Sequence, residues 1–216
     1  MAINGSGIFR KIAEGTKQTI QFISVSSGNE VTFPAFITRF SDDYTVSWGS
    51  TTSFGRTDPV KNYQSTGRRI STSFDILGEN EEQAIENFKN FSALVQMLYP
   101  VYSDPIGTNA KARTIKGIPL LRIKYANYIQ SPQGAPLLGC IFGFSFNPKF
   151  ESGHFLNAGN MIPVNYSLNF SFEPLHEQTL GHDASGAPSL FNNFPYSVNF
   201  AEPGEPVPAG NAGEDG

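Results

Sequence analysis

Polar and apolar positions in this chain alternate in short runs almost everywhere, and in one place they form a helical stripe. The clearest alternation is Arg69 to Leu77, where Ile70, Thr72, Phe74 and Ile76 share one face and Arg69, Ser71, Ser73 and Asp75 the other. A period of two held over that length is the mark of a strand with one face buried. The stripe follows at once. Ala84, Ile85, Phe88, Phe91, Leu94, Val95 and Leu98 recur at spacings of three and four, as an amphipathic helix requires. Asn80 is the expected cap, with Gln83 placed to reach back as in a capping box. Glu81 and Glu82 suit the positive end of the helix dipole, and Pro100 stops a helix expected over 81–99. This is the one convincing helix in the pattern. Phe88, Phe91 and Leu94 are expected to lie buried against a sheet.

The other runs read as strands joined by turns. Thr19 to Ser24 is the first, and Gly28-Asn29 is turn chemistry. Val31, Phe33, Ala35 and Ile37 alternate with Thr32, Pro34, Phe36 and Thr38, and Pro34 puts this strand at an edge or gives it a bulge. Asp42-Asp43 marks a turn before a short strand from Tyr44 to Trp48, whose Trp is read as a core or rim aromatic. Ser53 to Gly67 has no apolar run and reads as a long polar loop, with Arg56, Asp58, Lys61, Arg68 and Arg69 in or beside it. Such a loop is either a partner contact or a solvated connection. Tyr102 to Lys116 is a second polar connection, in which Lys111, Arg113 and Lys116 form a contact patch or are merely solvated. Leu121, Ile123 and Tyr125 alternate with Arg122 and Lys124, and Ser131 to Pro136 turns the chain.

Two regular strands follow. Cys140, Phe142, Phe144 and Phe146 are expected to face one way, against Ile141, Gly143 and Ser145. Val164, Tyr166, Leu168, Phe170 and Phe172 alternate with Asn165, Ser167, Asn169 and Ser171, a neutral polar face that suits a hydrated, non-adhesive surface. From His176 the periodicity fades, and Leu190, Phe191, Phe194, Tyr196 and Phe200 pack either on another subunit or on their own domain. The expected organisation is an N-terminal arm (1–18), a β domain (19–181), an extended C-terminal arm (182–200) and a disordered tail rich in Glu, Pro, Gly and Ala (201–216).

Composition narrows the picture. Of 216 residues 39% are hydrophobic, including 19 Phe, enough for a real core, while only 16% are charged, fewer than the usual quarter. A net charge of −4 gives no basic face for gripping nucleic acid. The single Cys140 excludes an internal disulfide framework and a cysteine zinc cluster, and reads as a buried structural thiol. No leader pattern opens the chain and no apolar run nears the roughly 20 residues of a membrane helix. A soluble protein made in a reducing cytoplasm is expected. His154, His176 and His182 form no metal pair at a spacing of four, and no phosphate loop, dinucleotide fingerprint or G-x-S-x-G is present. Asp42, Asp43, Asp58, Asp75 and Asp104 sit mostly in expected turns. No catalytic residue, metal or cofactor is assigned.

Five runs carry a resemblance: FGRTDPVKNYQSTGRRISTSFDI from Phe54, LVQMLYPVY from Leu94, PLLRIKYANYI from Pro119, LLGCIFGFSFNPKFESGHF from Leu137, and YSLNFSFEPLHEQTLG from Tyr166. Over about Thr45 to Gly181 the chain resembles tail proteins of contractile-tailed bacteriophages, more narrowly the baseplate-hub, tube-initiator type. The resemblance implies a mainly β (α+β) fold, an antiparallel β-barrel or sandwich of the tail-tube type flanked by one helix. It implies six copies closing a ring around a channel for DNA or tape measure. Partners would be tail-tube, baseplate-hub and wedge proteins, in a virion assembled in the host cytoplasm, without sequence-specific nucleic-acid binding and without a membrane. It makes Asn165, Ser167, Asn169 and Ser171 lumen-facing, and Arg56, Asp58, Lys61, Arg68 and Arg69 inter-subunit contacts. The Ser53–Arg69 loop and the Pro/Gly-rich tail depart from a simple tube subunit. A reading from another class is a β-sandwich ligand-binding module, such as the carbohydrate-binding part of a phage fibre or adhesin.

Overall fold

Alternation becomes pairing along most of the chain. The computed structural model describes residue 15 and residues 18–104, 113–157, 159–187 and 194–196. The N-terminal arm, apart from residues 15 and 18, most of the C-terminal arm and the tail from 201 lie outside the described residues. Strands β1 (Thr19–Ser24), β2 (Glu30–Pro34), β3 (Phe36–Thr51) and β4 (Val60–Leu77) lead into helix α1 (Glu81–Met97). Then come β5 (Val101–Tyr102), β6 (Ile115–Gly117), β7 (Leu121–Tyr125) and β8 (Leu137–Pro148). A 3-10 turn at Phe150–Ser152, β9 (His154–Asn157), β10 (Asn160–Pro163) and β11 (Asn165–Pro174) complete the order. Seven strands make one sheet, β2-β1-β7-β8-β11-β4-β3, antiparallel at every pairing, with β5-β6 and β9-β10 as small hairpins. The protein is mainly β, with a large antiparallel sheet and a helix packed on it.

The sheet curls over on itself. Lying flat, Phe22 on β1 and Phe170 on β11 would be three strand spacings apart, about 14 Å. Their ring centroids are 5.5 Å apart, edge to face. Phe33 on β2 and Phe74 on β4 are five spacings apart in the sheet order, yet 6.4 Å apart in space. The curl turns one sheet into a sandwich-like shell around a shared core of Ile20, Phe22, Phe33, Phe74, Leu121, Ile123, Leu168 and Phe170. The β4 alternation holds as expected, with Ile70, Thr72, Phe74 and Ile76 buried.

Helix α1 is capped by Asn80, whose Oδ1 accepts from the Gln83 N–H at 2.8 Å. Gln83 Oε1 accepts from the N–H of Glu79 at 2.9 Å, so the box closes one residue earlier than expected. The helix ends at Met97, two residues short of the expected span. Its inward face is centred on Gln83, Ala84, Asn87, Leu94 and Met97. The backbone carbonyl of Asn87 accepts from Tyr166 Oη at 2.9 Å, which fixes this rotation. Leu94 is therefore buried, while Phe88 and Phe91 lie on the flank, half-buried against Phe144 and Phe146.

Three expectations are corrected. Asp42-Asp43 is not a turn: β3 runs unbroken through it, and the break falls earlier, at Ala35, which divides β2 from β3. Pro34 is the last residue of β2, an edge strand, where its missing N–H costs nothing on the open side. The supposed loop from Ser53 to Gly67 is a turn at 52–59 followed by strand. In β8, Phe144 pairs with Phe170 but Phe142 pairs with Ser171, because the register slips at Gly143. Gly143 has φ +62, a left-handed conformation that glycine alone adopts freely. The bulge reverses the phase, so Cys140 and Phe142 turn to the outer face, and Cys140 is half-exposed rather than a core thiol.

Candidate functional site

β3 and β4 outgrow the sheet. They pair with each other from Phe36–Asp75 to Thr51–Val60, while β11 accompanies β4 only from Leu77 to Ile70. Beyond that point the two strands stand alone as a ribbon of about nine residues a side, or roughly 30 Å. One face carries Tyr44, Val46 and Trp48 opposite Arg68, Thr66 and Tyr63. The other carries Thr45, Ser47 and Gly49 opposite Gly67, Ser65 and Asn62. Trp48 is 56% exposed, and its ring meets Tyr63 edge to face at 5.8 Å. Val46 and Tyr63 are exposed as well, and Phe54 stands free in the turn at the tip. An isolated two-stranded ribbon is marginal in water. A contiguous apolar face on one marks a place where something binds.

The ribbon is rooted in a buried ion pair. Asp42 and Tyr44 share the core-side parity of β3, and Arg68 lies opposite Tyr44. Arg68 Nε donates to Asp42 Oδ1 at 2.9 Å and Nη2 to Oδ2 at 2.7 Å, with the two side chains only 2% and 4% exposed. Tyr44 Oη and Tyr196 Oη each donate to Asp42 Oδ2 at 3.1 Å. The guanidinium lies 5.5 Å from the Tyr44 ring centroid and 5.4 Å from that of Phe194, whose ring also meets His176 edge to face at 5.7 Å. Phe194 and Tyr196, from the C-terminal arm, thus pack on their own domain. Burial raises the Tyr44 phenol well above its usual range despite the opposing Arg68 charge, and raises Tyr196 likewise. Arg68 Nη1 and His176 Nδ1 are buried with no hydrogen-bond partner among the described residues.

Burial first, and the Arg68 charge second, hold the His176 imidazole below the usual histidine value, with Asp42 opposing. The unfolded chain then takes up a proton before the folded one does. Stability is complete above about pH 6.5, the unfolded value, and falls as pH drops below it until the native imidazole is itself protonated. Glu177 and Asp183, both lowered by hydrogen bonds to their carboxylates, act in the same sense only below their ordinary values of 4.5 and 3.8. Between pH 7 and 5.5 the urea midpoint of the protein should fall, and that of His176→Phe should fall less. Equal slopes would place this ring in solvent.

The five expected contact residues do not lie in one cluster. Arg56 and Asp58 are exposed in the tip turn, and Lys61 is exposed near the tip with Nζ donating to Ser50 Oγ at 3.2 Å. Arg69 is on the outer face, 3.9 Å from Glu173 and over the Phe142 ring. Arg68 turns inward and is taken by Asp42 of its own chain. The sequence reading missed Asp42, Tyr44, His176 and Tyr196. Asp42 and Tyr44 share the parity of Phe40 and Val46, a signal hidden by reading Asp-Asp as a turn.

Asn165, Ser167, Asn169 and Ser171 do share the outer face of β11. That face is not charge-poor, however. Asp75 accepts from Ser167 Oγ at 2.6 Å and pairs with Lys149 at 2.5 Å, and Arg122 is bidentate to Glu177 at 2.7 and 2.6 Å. The neighbouring strands and loops supply the charges that β11 lacks.

The arrangement defines a curled β shell with a helix and a projecting arm. No family model matches the chain, and no curated protein does. Among solved structures it is similar to the SPP1 Dit protein, a paradigm of the hub adsorption apparatus in phages infecting Gram-positive bacteria. That likeness has 10% identity over 72% of this chain and a TM-score of 0.35, and it spans about half, 49%, of the Dit chain. It is also similar to a chain of the anti-feeding prophage baseplate, seen by cryo-electron microscopy with six-fold symmetry. There the identity is 9% over 74% of this chain and 93% of the other, with a TM-score of 0.31. Likeness at that level carries no argument about role.

Proposed function

We propose that this chain is a non-enzymatic structural subunit of a bacteriophage tail, at the junction of tail tube and baseplate hub. Six copies form a ring through which DNA passes, in contact with tail-tube, hub and wedge proteins of the virion. The observation that carries this reading is the β3–β4 arm, a ribbon whose aromatic face is exposed among the described residues, on a domain whose sequence resembles such proteins. In the ring, the arm lies on a neighbouring subunit through Tyr44, Val46, Trp48 and Tyr63. Arg56, Asp58, Lys61 and Arg69 make polar contacts at its tip and outer side. The outer face of β11, with Asn165, Ser167, Asn169 and Ser171, lines the channel.

The full-length chain should run as a hexamer or a multiple of six in native mass spectrometry. Trp48→Ser with Tyr63→Ser should leave a folded monomer, since both side chains are exposed and their loss costs the fold little. A wild-type monomer that binds glycans would overturn the reading in favour of a carbohydrate-binding module, and a double variant that assembles normally would overturn the arm's role in assembly.

A further inference from the structure

We propose that two further apolar patches, one at each end of α1, bind one another between copies of this chain, head to tail. The proposal rests on the reading of the chain as a self-assembling subunit, and it concerns surfaces separate from the arm.

The first patch lies beside the first turn of α1. Asn157 Nδ2 donates to Glu81 Oε1 at 2.7 Å, which ties the β9–β10 hairpin to the helix. Leu156 and Met161 are cross-strand partners on that hairpin. The opposite row turns in, with Ile162 buried, so Leu156 and Met161 face out, Leu156 at 72% exposure. Phe150, in the preceding 3-10 turn, is exposed as well. Two exposed acids adjoin it along the chain: Glu82 follows Glu81, the partner of Asn157, and Glu151 follows Phe150.

The second patch follows the last turn of α1. Tyr102 and Ile115 are cross-strand partners on β5–β6. Tyr99 and Ile118, each three residues from that pair in the chain, are exposed too, Ile115 and Ile118 each at 62%. Arg113 and Lys116, both exposed, lie within two residues of Ile115 in the chain, with Asp104 the exposed acid of the same segment.

Single exposed apolar residues are ordinary, whereas paired ones with apolar companions form a patch. The 17 residues of α1 separate the two patches by about 25 Å, so neither can shield the other within one chain. Two-fold pairing of the first patch with its own image would set Glu82 and Glu151 against a second set of glutamates. Pairing it with the second patch sets carboxylate against guanidinium and ammonium around an apolar centre. That contact is heterologous, so it leaves one free patch at each end of a growing assembly and ends only by ring closure or in a filament.

The test uses the full chain and two charge-reversed variants, Glu82→Lys with Glu151→Lys, and Arg113→Glu with Lys116→Glu. In sedimentation velocity each alone should need at least about tenfold more protein to assemble than wild type. A one-to-one mixture should recover, because the altered end of each variant then meets the altered end of the other. Leu156→Ser, which reverses no charge, should raise the assembly concentration in the same direction. The inference is overturned if either reversed variant assembles like wild type, if the mixture fails to recover, or if Leu156→Ser has no effect. Those results with an assembling wild type leave the tail-subunit reading standing, whereas a wild type that stays monomeric defeats that reading as well.

Discussion

Asp42→Ala should destabilise the protein by about 3–5 kcal/mol, because it leaves the Arg68 guanidinium charged, buried and without its bidentate partner. Two tyrosine hydroxyls, Tyr44 and Tyr196, lose their shared acceptor in the same step. The loss should come from breaking the pair rather than from lacking it. Asp42→Leu with Arg68→Met removes both charges from the same space, and should come within about 1 kcal/mol of wild type. Urea unfolding of the three proteins decides the matter. If Asp42→Ala costs under about 1 kcal/mol, water reaches the pair and the root is not sealed. If the double variant is as unstable as the single one, the pair itself holds the ribbon to the sheet.

The second large effect is expected at Phe170. Its ring touches Phe22 at 5.5 Å and Phe74 at 6.2 Å, and it is therefore where the curled halves of the sheet meet. Phe170→Ala should cost about 3–5 kcal/mol, combining lost transfer energy with a cavity that two sheet halves cannot easily close. Phe170→Leu should cost clearly less, since it keeps most of the apolar volume. Chemical denaturation monitored by the single Trp48 would report the wrong region, so far-ultraviolet circular dichroism is the better probe. A change under about 1 kcal/mol for the alanine variant would mean that the sheet halves do not pack on one another.

Much of this was legible in the sequence, for identifiable reasons. The alternation at Arg69–Leu77 and at Tyr166–Phe172 gave both faces correctly, because regular pleating leaves nothing for context to change. Asn80 announced its own helix. The failures share a cause: a local residue preference was outweighed by a pairing that no local window contains. Asp42-Asp43 has turn chemistry, but one Asp meets Arg68 across the strand pair and the other faces solvent. Gly143 looked like one more alternating residue, and only the partner strand shows that it is bulged. The polar run from Lys61 to Gly67 has no buried side, and so lacks the apolar alternation by which the other strands were recognised. The buried root was hidden further, since His176 and Tyr196 come to it from far along the chain.

The strand order has a temporal consequence. β1 pairs with β7, and β4 with β11, each across about a hundred residues, as the Ser71–Ser171 hydrogen bond at that separation illustrates. On a ribosome the β1–β2 and β3–β4 hairpins emerge first, before the strands that complete the sheet. The inner edges of β1 and β4 then wait, with unpaired N–H and C=O groups, until β7, β8 and β11 have been made. The growing chain thus passes through a stage in which open strand edges and an aromatic ribbon are displayed together. Premature pairing between nascent copies is the hazard built into this topology, and rapid completion of the last central strand is what removes it.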